Sequence, residues 1–442
     1  AVSEYAPGTE LVKDKKVHVP IGITGDTQKW SGGGRAYKGP WTAGVCGACL
    51  TVNVEGKPQR GGSSLPAACA VCGATEPTYK KHAVVEPTAY RTSYSGRPYD
   101  GARRGGVRST LPKIGFAAPQ PRSVANMSAP LLEKTSVYSI SSNAGLPFTL
   151  VHARRGSEPE SGWIDERFLT EPHEVKRAGT TGWSRDGDQA LNVAFMAKRT
   201  TDALLVSPLT VPEGFRIDPL SGVGRAAWAS LAFALRSLAS TRLDVEPGEF
   251  EVGLAPMVRD GDVVGGFFLA DVIENGAGYA HAVSENIAEY LRGIPDFFER
   301  GHGSDPCDSS CNRCLRDHLN WRWQALLDWR LAQDLAAVLL NEEPDLHAYS
   351  RLEKKLVQEL AVSLRMEAPS FGGVPGLCNR RRAKVALVVH PFLAEAGADA
   401  LDESEELAQA VREAEAHGME VTLTSYFQLA RQPQELLAWL QG

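Results

Sequence analysis

The spacing of apolar residues changes several times along the chain, and each change predicts a different kind of element. Up to Thr27, Leu11, Val12, Val17, Val19, Ile21 and Ile23 fall among polar residues between Pro and Gly breaks, which predicts short strands. Residues 31 to 125 hold no sustained period and are rich in Gly, Pro, Ser and Cys, a composition suited to a small metal-stapled module. From Lys134 to Thr210 the runs SVYSI, FTLVHA and TDALLV, separated by polar loops, predict an antiparallel sheet. The period then shifts. Trp228, Leu231, Leu235 and Leu238 recur at intervals of three and four, placing one apolar stripe on a helix from Gly224 to Ser240.

Beyond that helix, EFEVGLA alternates at Phe250, Val252 and Leu254, and VVGGFFLADVI suits a central strand. A Gly-rich turn in ENGAGYAHAVSENIAEYL opens another helix, and two long helices are expected from Asn320 to Leu340 and from Leu346 to Arg365. The C-terminal stretch reads strand (KVALVV), helix (Glu403 to His417), strand (MEVTLTSYF), helix (Pro433 to Leu440). The expected fold class is therefore α+β in three parts. These are a β and zinc-ribbon module at 1–125, a central sheet-and-helix zinc-binding domain at 126–380, and a small α/β unit at 381–442.

Charge adds an asymmetry that the net value of -6 conceals. Residues 1 to 125 carry 17 Lys and Arg against 8 Asp and Glu, whereas the remainder is 15 units negative. The basic end is the expected contact with phosphates, and the acidic part a solvated surface or one that docks a basic partner. The sequence lacks the roughly 20 consecutive apolar residues of a membrane-spanning helix, and AVSEYAPGTE has no basic segment followed by an apolar run. A cytoplasmic protein without membrane association is expected.

The eight cysteines are unevenly placed. Cys46-Gly-Ala-Cys49, nineteen intervening residues and Cys69-Ala-Val-Cys72 form two CxxC turns, the spacing of a closed four-thiolate zinc site with a structural role. Cys307, Cys311 and Cys314 form a CxxxCxxC cluster with two readings. One is zinc completed by a fourth protein ligand; the other is the three-cysteine iron-sulfur motif of radical enzymes that use S-adenosylmethionine. The second is disfavoured, because helices and a short tail follow in place of a barrel, and Arg313 precedes the last cysteine where such enzymes place an aromatic. For zinc, Cys378 is expected first as fourth ligand because thiolate is soft. His318 comes second, one helical turn after Cys314, and His302 third, on a Gly-flanked segment. Two zinc sites are thus expected in the chain.

Three further groups of residues could carry function. RPYDGARRGGVRSTLPK brings Arg97, Arg103, Arg104, Arg108 and Lys113 into one Gly-rich stretch near Tyr90, Tyr94 and Tyr99, where guanidinium groups could grip phosphates and tyrosines stack on unpaired bases. Glu251 and Asp271 lie on successive strands and could pair around Mg as in a nuclease, although the Lys usual in such sites is absent two residues beyond Glu251, where Gly253 stands. Solvated or turn-capping carboxylates are the default there. His390 closes the KVALVV strand, with a structural cap as the expected role.

The runs DVEPGEFEVGLAP, FFLADVIENGAGYA and CDSSCNRCLRDHLNWRWQALLDWRLAQDL resemble the MrfA-type zinc-binding domain at the C-terminal end of large DEAD/DEAH-box helicases. SEYAPGTELVKDKK, the paired CxxC module and VVEPTAYRTSY are similar to the region between motor and zinc domain in those proteins. The resemblance implies that Cys307, Cys311 and Cys314 are zinc ligands. It also implies a setting in DNA repair or in anti-phage systems of the DISARM and Druantia kinds, with nucleic acid, DNA foremost, and a helicase motor as partners. Gln324 stands where a His is expected before ALLDWRLA, which removes one plausible ligand. The sequence holds no GxxxxGK[ST] phosphate loop and no DEAD or DEAH box, and Gly56-Lys57 lies in the ribbon loop ahead of Pro58, so ATP hydrolysis is not expected from this chain by itself. A motor in the same or a separate polypeptide is implied.

Overall fold

A computed structural model describes residues 5–25, 35–48, 50–55, 65–92, 96–101, 112–115, 122–143, 146–155, 161–169, 183–219, 221–255, 257–259, 262–303, 306–321 and 323–442. The chain is a mixed α+β protein that divides into two compact units, Ala1–Ala118 with Lys134–Thr201, and Pro119–Glu133 with Asp202–Gly442.

The first unit is built on a curled sheet whose strands alternate as the sequence requires. Its strands follow the spatial order Val52–Val54, Tyr37–Cys46, Tyr79–Pro87, Trp183–Pro208, Phe148–Arg155, Ser161–Asp165, Pro20–Thr24 and Ala89–Thr92. Neighbours are antiparallel except Tyr79–Pro87 and Trp183–Pro208, which run parallel with Val84 beside Ala194 and Val85 beside Phe195. Because successive strand residues face opposite ways, these two pairs feed different cores. Val84 and Ala194 pack with Ala43, Val52 and Met196, while Val85 and Phe195 pack with Ile23, Phe148 and Leu150. Both faces of the sheet centre are therefore covered.

The second unit is organised around helix α1, Gly222–Leu243, whose Ser221 side chain accepts from the Gly224 N–H and whose Asp244 closes it in the left-handed region. The predicted stripe of Trp228, Leu231, Leu235 and Leu238 is buried, but so are Ala226, Ala227, Ala229, Ala232, Ala234 and Ala239. The small faces let neighbours approach on every side, so α1 is a central helix rather than an amphipathic surface one. Strands Phe250–Leu254 and Phe267–Asp271 pair antiparallel in this unit, and Ala203–Val206 pairs with the second of them.

Helices α2 (Ile294–His302) and α3 (Trp329–Leu340) pack with α1, and the cysteine loop lies between them in sequence. The long helix expected from Asn320 is shorter than its pattern suggested. It begins at Trp329, where Asp328 accepts from the Arg330 N–H as N-cap. Ahead of it the Asn320 amide is committed to the Leu315 carbonyl at 2.7 Å, which holds turns in place of helix. Helix α4 (Ser350–Leu364) fits its expected span apart from the first residues.

The C-terminal sheet has the order Ser370–Phe371, Val374–Asn379, Lys384–Val388, Glu420–Thr424, the last two strands parallel. Helices α5 (Pro391–Ala396) and α6 (Glu405–Ala416) cross between the parallel strands, and α7 (Tyr426–Arg431) and α8 (Pro433–Gln441) follow. This is the α/β arrangement read from the pattern, with Val374–Asn379, paired on both sides, added as a strand the pattern did not reveal.

One buried group in this unit sets a pH dependence. Glu353 on α4 is 5% exposed, and its Oε1 has no hydrogen-bond partner. Burial pushes its carboxyl up to about 7, with Lys354 opposing. The folded state therefore binds a proton that the unfolded chain releases near pH 4.5, so stability falls as pH rises from there through about 7. Glu353→Gln should stabilise the protein above pH 7 by about 3 kcal/mol and change little below pH 4.5. Denaturant midpoints at the two ends of that range would check this, and an equal shift at both ends would contradict it.

Candidate metal centres

Two clusters of thiols gather among the described residues. In the first, Cys46 ends strand Tyr37–Cys46, where its N–H donates to the Thr51 carbonyl at 3.0 Å and the next N–H, of Gly47, to Thr78 at 2.8 Å. Cys69 and Cys72 share a tight turn closed by Cys69 N–H to Ala74 at 2.8 Å and Gly73 N–H to Cys69 at 2.9 Å. Gly73 sits at φ +70°, where a side chain would be strained. The Cys46 and Cys72 sulfurs are 3.6 Å apart. The buried Tyr79 phenol lies against this cluster, its ionisation pushed up by burial and then by the Cys69 and Cys46 charges. Cys49 lies outside the described residues.

In the second cluster the three cysteines are joined by His302, not by Cys378. The donor atoms of His302, Cys307, Cys311 and Cys314 all lie within 4.8 Å of one another. Cys307 Sγ is 3.3 Å from His302 Nε2 and 3.9 Å from Cys314 Sγ, and Cys311 Sγ is 3.7 Å from Cys314 Sγ. A tetrahedron with metal–sulfur bonds of about 2.3 Å has S···S edges of about 3.8 Å, so both clusters have the dimensions of a metal-binding site. Cys311 N–H donates to Cys314 Sγ at 3.1 Å. The Cys307 thiol is pulled down to about 5, first by its hydrogen bond with Cys314 and against burial, while Cys314 is pushed up by the same contact.

His302 reaches the cluster because its Gly-flanked segment is helical. It is the last residue of α2, with Gly303 at φ +64° ending the helix and Gly301 packed so closely on the Arg313 carbonyl that a Cβ would clash. The available signal was PDFFERGH itself, a Pro-initiated helical turn with Phe298 and His302 four residues apart on one face. Cys378 instead sits on Val374–Asn379, 1% exposed among Phe371, Val385, Leu387, Ala410 and Ala414, and burial pushes its thiol up. It behaves as a small apolar residue. His318 is exposed and outside the cluster.

Of the basic stretch, the described members are engaged within the fold. Lys113 is 7% exposed and donates to the Leu50 carbonyl at 2.7 Å, so its ammonium is directed inward, away from any phosphate. Arg97 pairs with Glu10 at 2.5 Å and Asp100 at 3.9 Å. Tyr99 is exposed, its hydroxyl donating to Gly101 at 3.1 Å. Arg103, Arg104 and Arg108 lie outside the described residues.

The carboxylate pair does not form. Phe250 lies opposite Asp271 and Glu251 opposite Ala270, so the two carboxylates point to opposite faces of the sheet and cannot share a metal. Asp271 is fully buried and accepts from the N–H groups of Ala277 (2.6 Å), Gly278 (2.9 Å) and Ala280 (2.8 Å), which holds the Gly-rich turn. His390 caps α5 by accepting from Phe392 at 3.2 Å while its Nε2 meets Asp334 at 3.0 Å. No helix among the described residues is long and apolar enough to cross a membrane.

No family model matches the chain. Over 176 residues it is 30% identical to the Druantia protein DruE of Escherichia coli (strain UMEA 4076-1), a match that takes in 34% of this chain and 9% of that protein. The crystal structure of the helicase MrfA bound to DNA aligns with 51% of this chain and 24% of its own, at 11% identity and a TM-score of 0.29. MrfA bound to DNA and AMPPNP aligns with 74% and 35%, at 10% identity and a TM-score of 0.24. The chain thus spans less than a tenth of the Druantia protein it matches and about a quarter to a third of the MrfA chains it aligns with.

Proposed function

We propose that the chain is a non-motor, zinc-binding accessory region of a DEAD/DEAH-type DNA helicase, binding or guiding nucleic acid, or docking a partner, in DNA repair or anti-phage defence. The observation that carries this reading is the convergence of His302 with Cys307, Cys311 and Cys314 inside the stretch that resembles the zinc domain. Three sulfurs and one imidazole nitrogen are a donor set suited to Zn, and four protein ligands leave no coordination position for a substrate. The same closure weighs against a radical enzyme, whose cluster needs an open iron. Cys46, Cys49, Cys69 and Cys72 would hold a second ion. Bound zinc would supply folding energy to both loops.

The likeness to a Druantia protein supports the defence setting, and the lack of a phosphate loop in the sequence supports the non-motor role. The motor would lie in the same polypeptide or in a separate chain. With Lys113 and Arg97 engaged internally, phosphate contact in the basic first third falls to Arg103, Arg104 and Arg108, with exposed Tyr99 as a stacking platform.

Elemental analysis of the purified protein should find about two Zn and no Fe. His302→Ala should lose one equivalent and Cys378→Ala none; the reverse pattern would return the fourth position to Cys378, and iron would overturn the zinc reading. For nucleic acid, neutralising two phosphate contacts on a single strand should flatten the slope of log K against log salt by about 1.4. Titrating a labelled single-stranded oligonucleotide with Arg103→Gln/Arg104→Gln should therefore give weaker, less salt-sensitive binding. An unchanged affinity and slope would reassign the region and point to the acidic part as a protein-docking surface.

A further inference from the structure

The second centre is gripped by the first turn of α3. Three consecutive carbonyls of the ligand loop are each taken by it: Cys307 by the Trp329 indole N–H at 2.9 Å, Asp308 by Arg330 Nη1 at 2.8 Å, and Ser309 by the Trp329 backbone N–H at 2.9 Å. The Arg330 guanidinium lies 4.2 Å over the Trp329 ring and donates also to the Ala348 carbonyl at 3.1 Å. Trp329 in turn touches His302, with ring centroids 5.1 Å apart at 58°. Phe298, one turn below His302 on α2 and 1% exposed, stacks on the same imidazole at 6.2 Å and 11°, and meets Trp329 at 5.9 Å.

We infer that Phe298 and Trp329 are the positioning residues of this centre, clamping the His302 imidazole so that Nε2 is aimed at Cys307 while the indole fixes the backbone of Cys307. The inference rests on the zinc reading of the cluster. A histidine at a helix end has rotamers to lose, and rings that hold it in one of them remove that cost from metal binding. Outer groups that orient a ligand in this way typically contribute ten- to a hundredfold to metal affinity. Trp329 is placed to do more than fill space, because one side chain contacts two ligands: the ring of one and the carbonyl of the other.

The test compares wild type, Trp329→Phe, which keeps a ring against His302 and removes only the indole donor, and Phe298→Leu, which alters the stack and leaves Cys307 untouched. Zinc affinity is measured by competition with a chromophoric chelator, and the ligand field by the visible absorption of the Co(II)-substituted protein, with the first cluster as an internal reference. Each variant should weaken zinc at the second centre about ten- to a hundredfold and shift the Co(II) bands, with circular dichroism unchanged. Wild-type affinity and an unshifted Co(II) spectrum in both variants would overturn the clamp. Should Trp329→Phe not fold, Phe298→Leu decides by the same two readings. A wild-type protein that binds no metal through Cys307, Cys311 and Cys314 would overturn the zinc reading and the clamp together, whereas metal-loaded wild type with unmoved variants overturns the clamp by itself.

Discussion

The stretch between α2 and α3 has almost no apolar interior of its own, and the shape of the second unit around it follows from how its polar groups are satisfied. Among its described residues only Cys314, Leu315 and Leu327 are buried apolar positions. A loop so poor in core residues is held by directional contacts or it is not held. The first turn of α3 takes three of its carbonyls, Arg431 of α7 donates to Ala325 at 2.5 Å and Leu327 at 3.0 Å, and Ser230 of α1 accepts from the Asp328 N–H at 2.8 Å. Asp317 pairs with Arg236, a guanidinium 4% exposed on α1.

Those contacts explain the composition of α1. A helix buried all round should be wholly apolar, yet Ser230 and Arg236 interrupt it, and each meets the cysteine loop. Burial depresses the Arg236 ionisation and Asp317 opposes that, so the pair is interdependent: without Asp317 a buried charge would stand uncompensated. Ser230 and Arg236 therefore belong to the cysteine loop as much as to the helix itself, whereas the buried Ser240 bonds back to the Arg236 carbonyl of its own helix.

Much of this was legible in the sequence, wherever a local period or a fixed spacing carried the information. The alternation around FTLVHA and TDALLV, the strand-helix-strand order of the C-terminal unit and the two cysteine clusters all follow from neighbours a few residues apart. What escaped depended on contacts between distant segments. The stripe on α1 was visible, but not that its alanine faces would also be covered. The pattern after Asn320 is helical in period, yet Asn320 and Asp328 commit their side chains to turn and cap. Cys378 was ranked on the softness of thiolate, whereas strand pairing buries it among Phe371 and Val385. Glu251 and Asp271 are close in register but alternate in face, a distinction that needs the pairing itself.

The position of His302 also bears on when the centre can form. All four donors lie in one continuous stretch from His302 to Cys314, whereas closure by Cys378 would have required a loop about six times longer. In an unfolded chain that difference in loop-closure entropy is about 1.6 kcal/mol in favour of the local set. Such a centre has low contact order and does not need the C-terminal sheet to be in place first. On the zinc reading proposed above, the order of events this permits is ion capture by a short segment, followed by growth of the surrounding helices onto an already rigid knot.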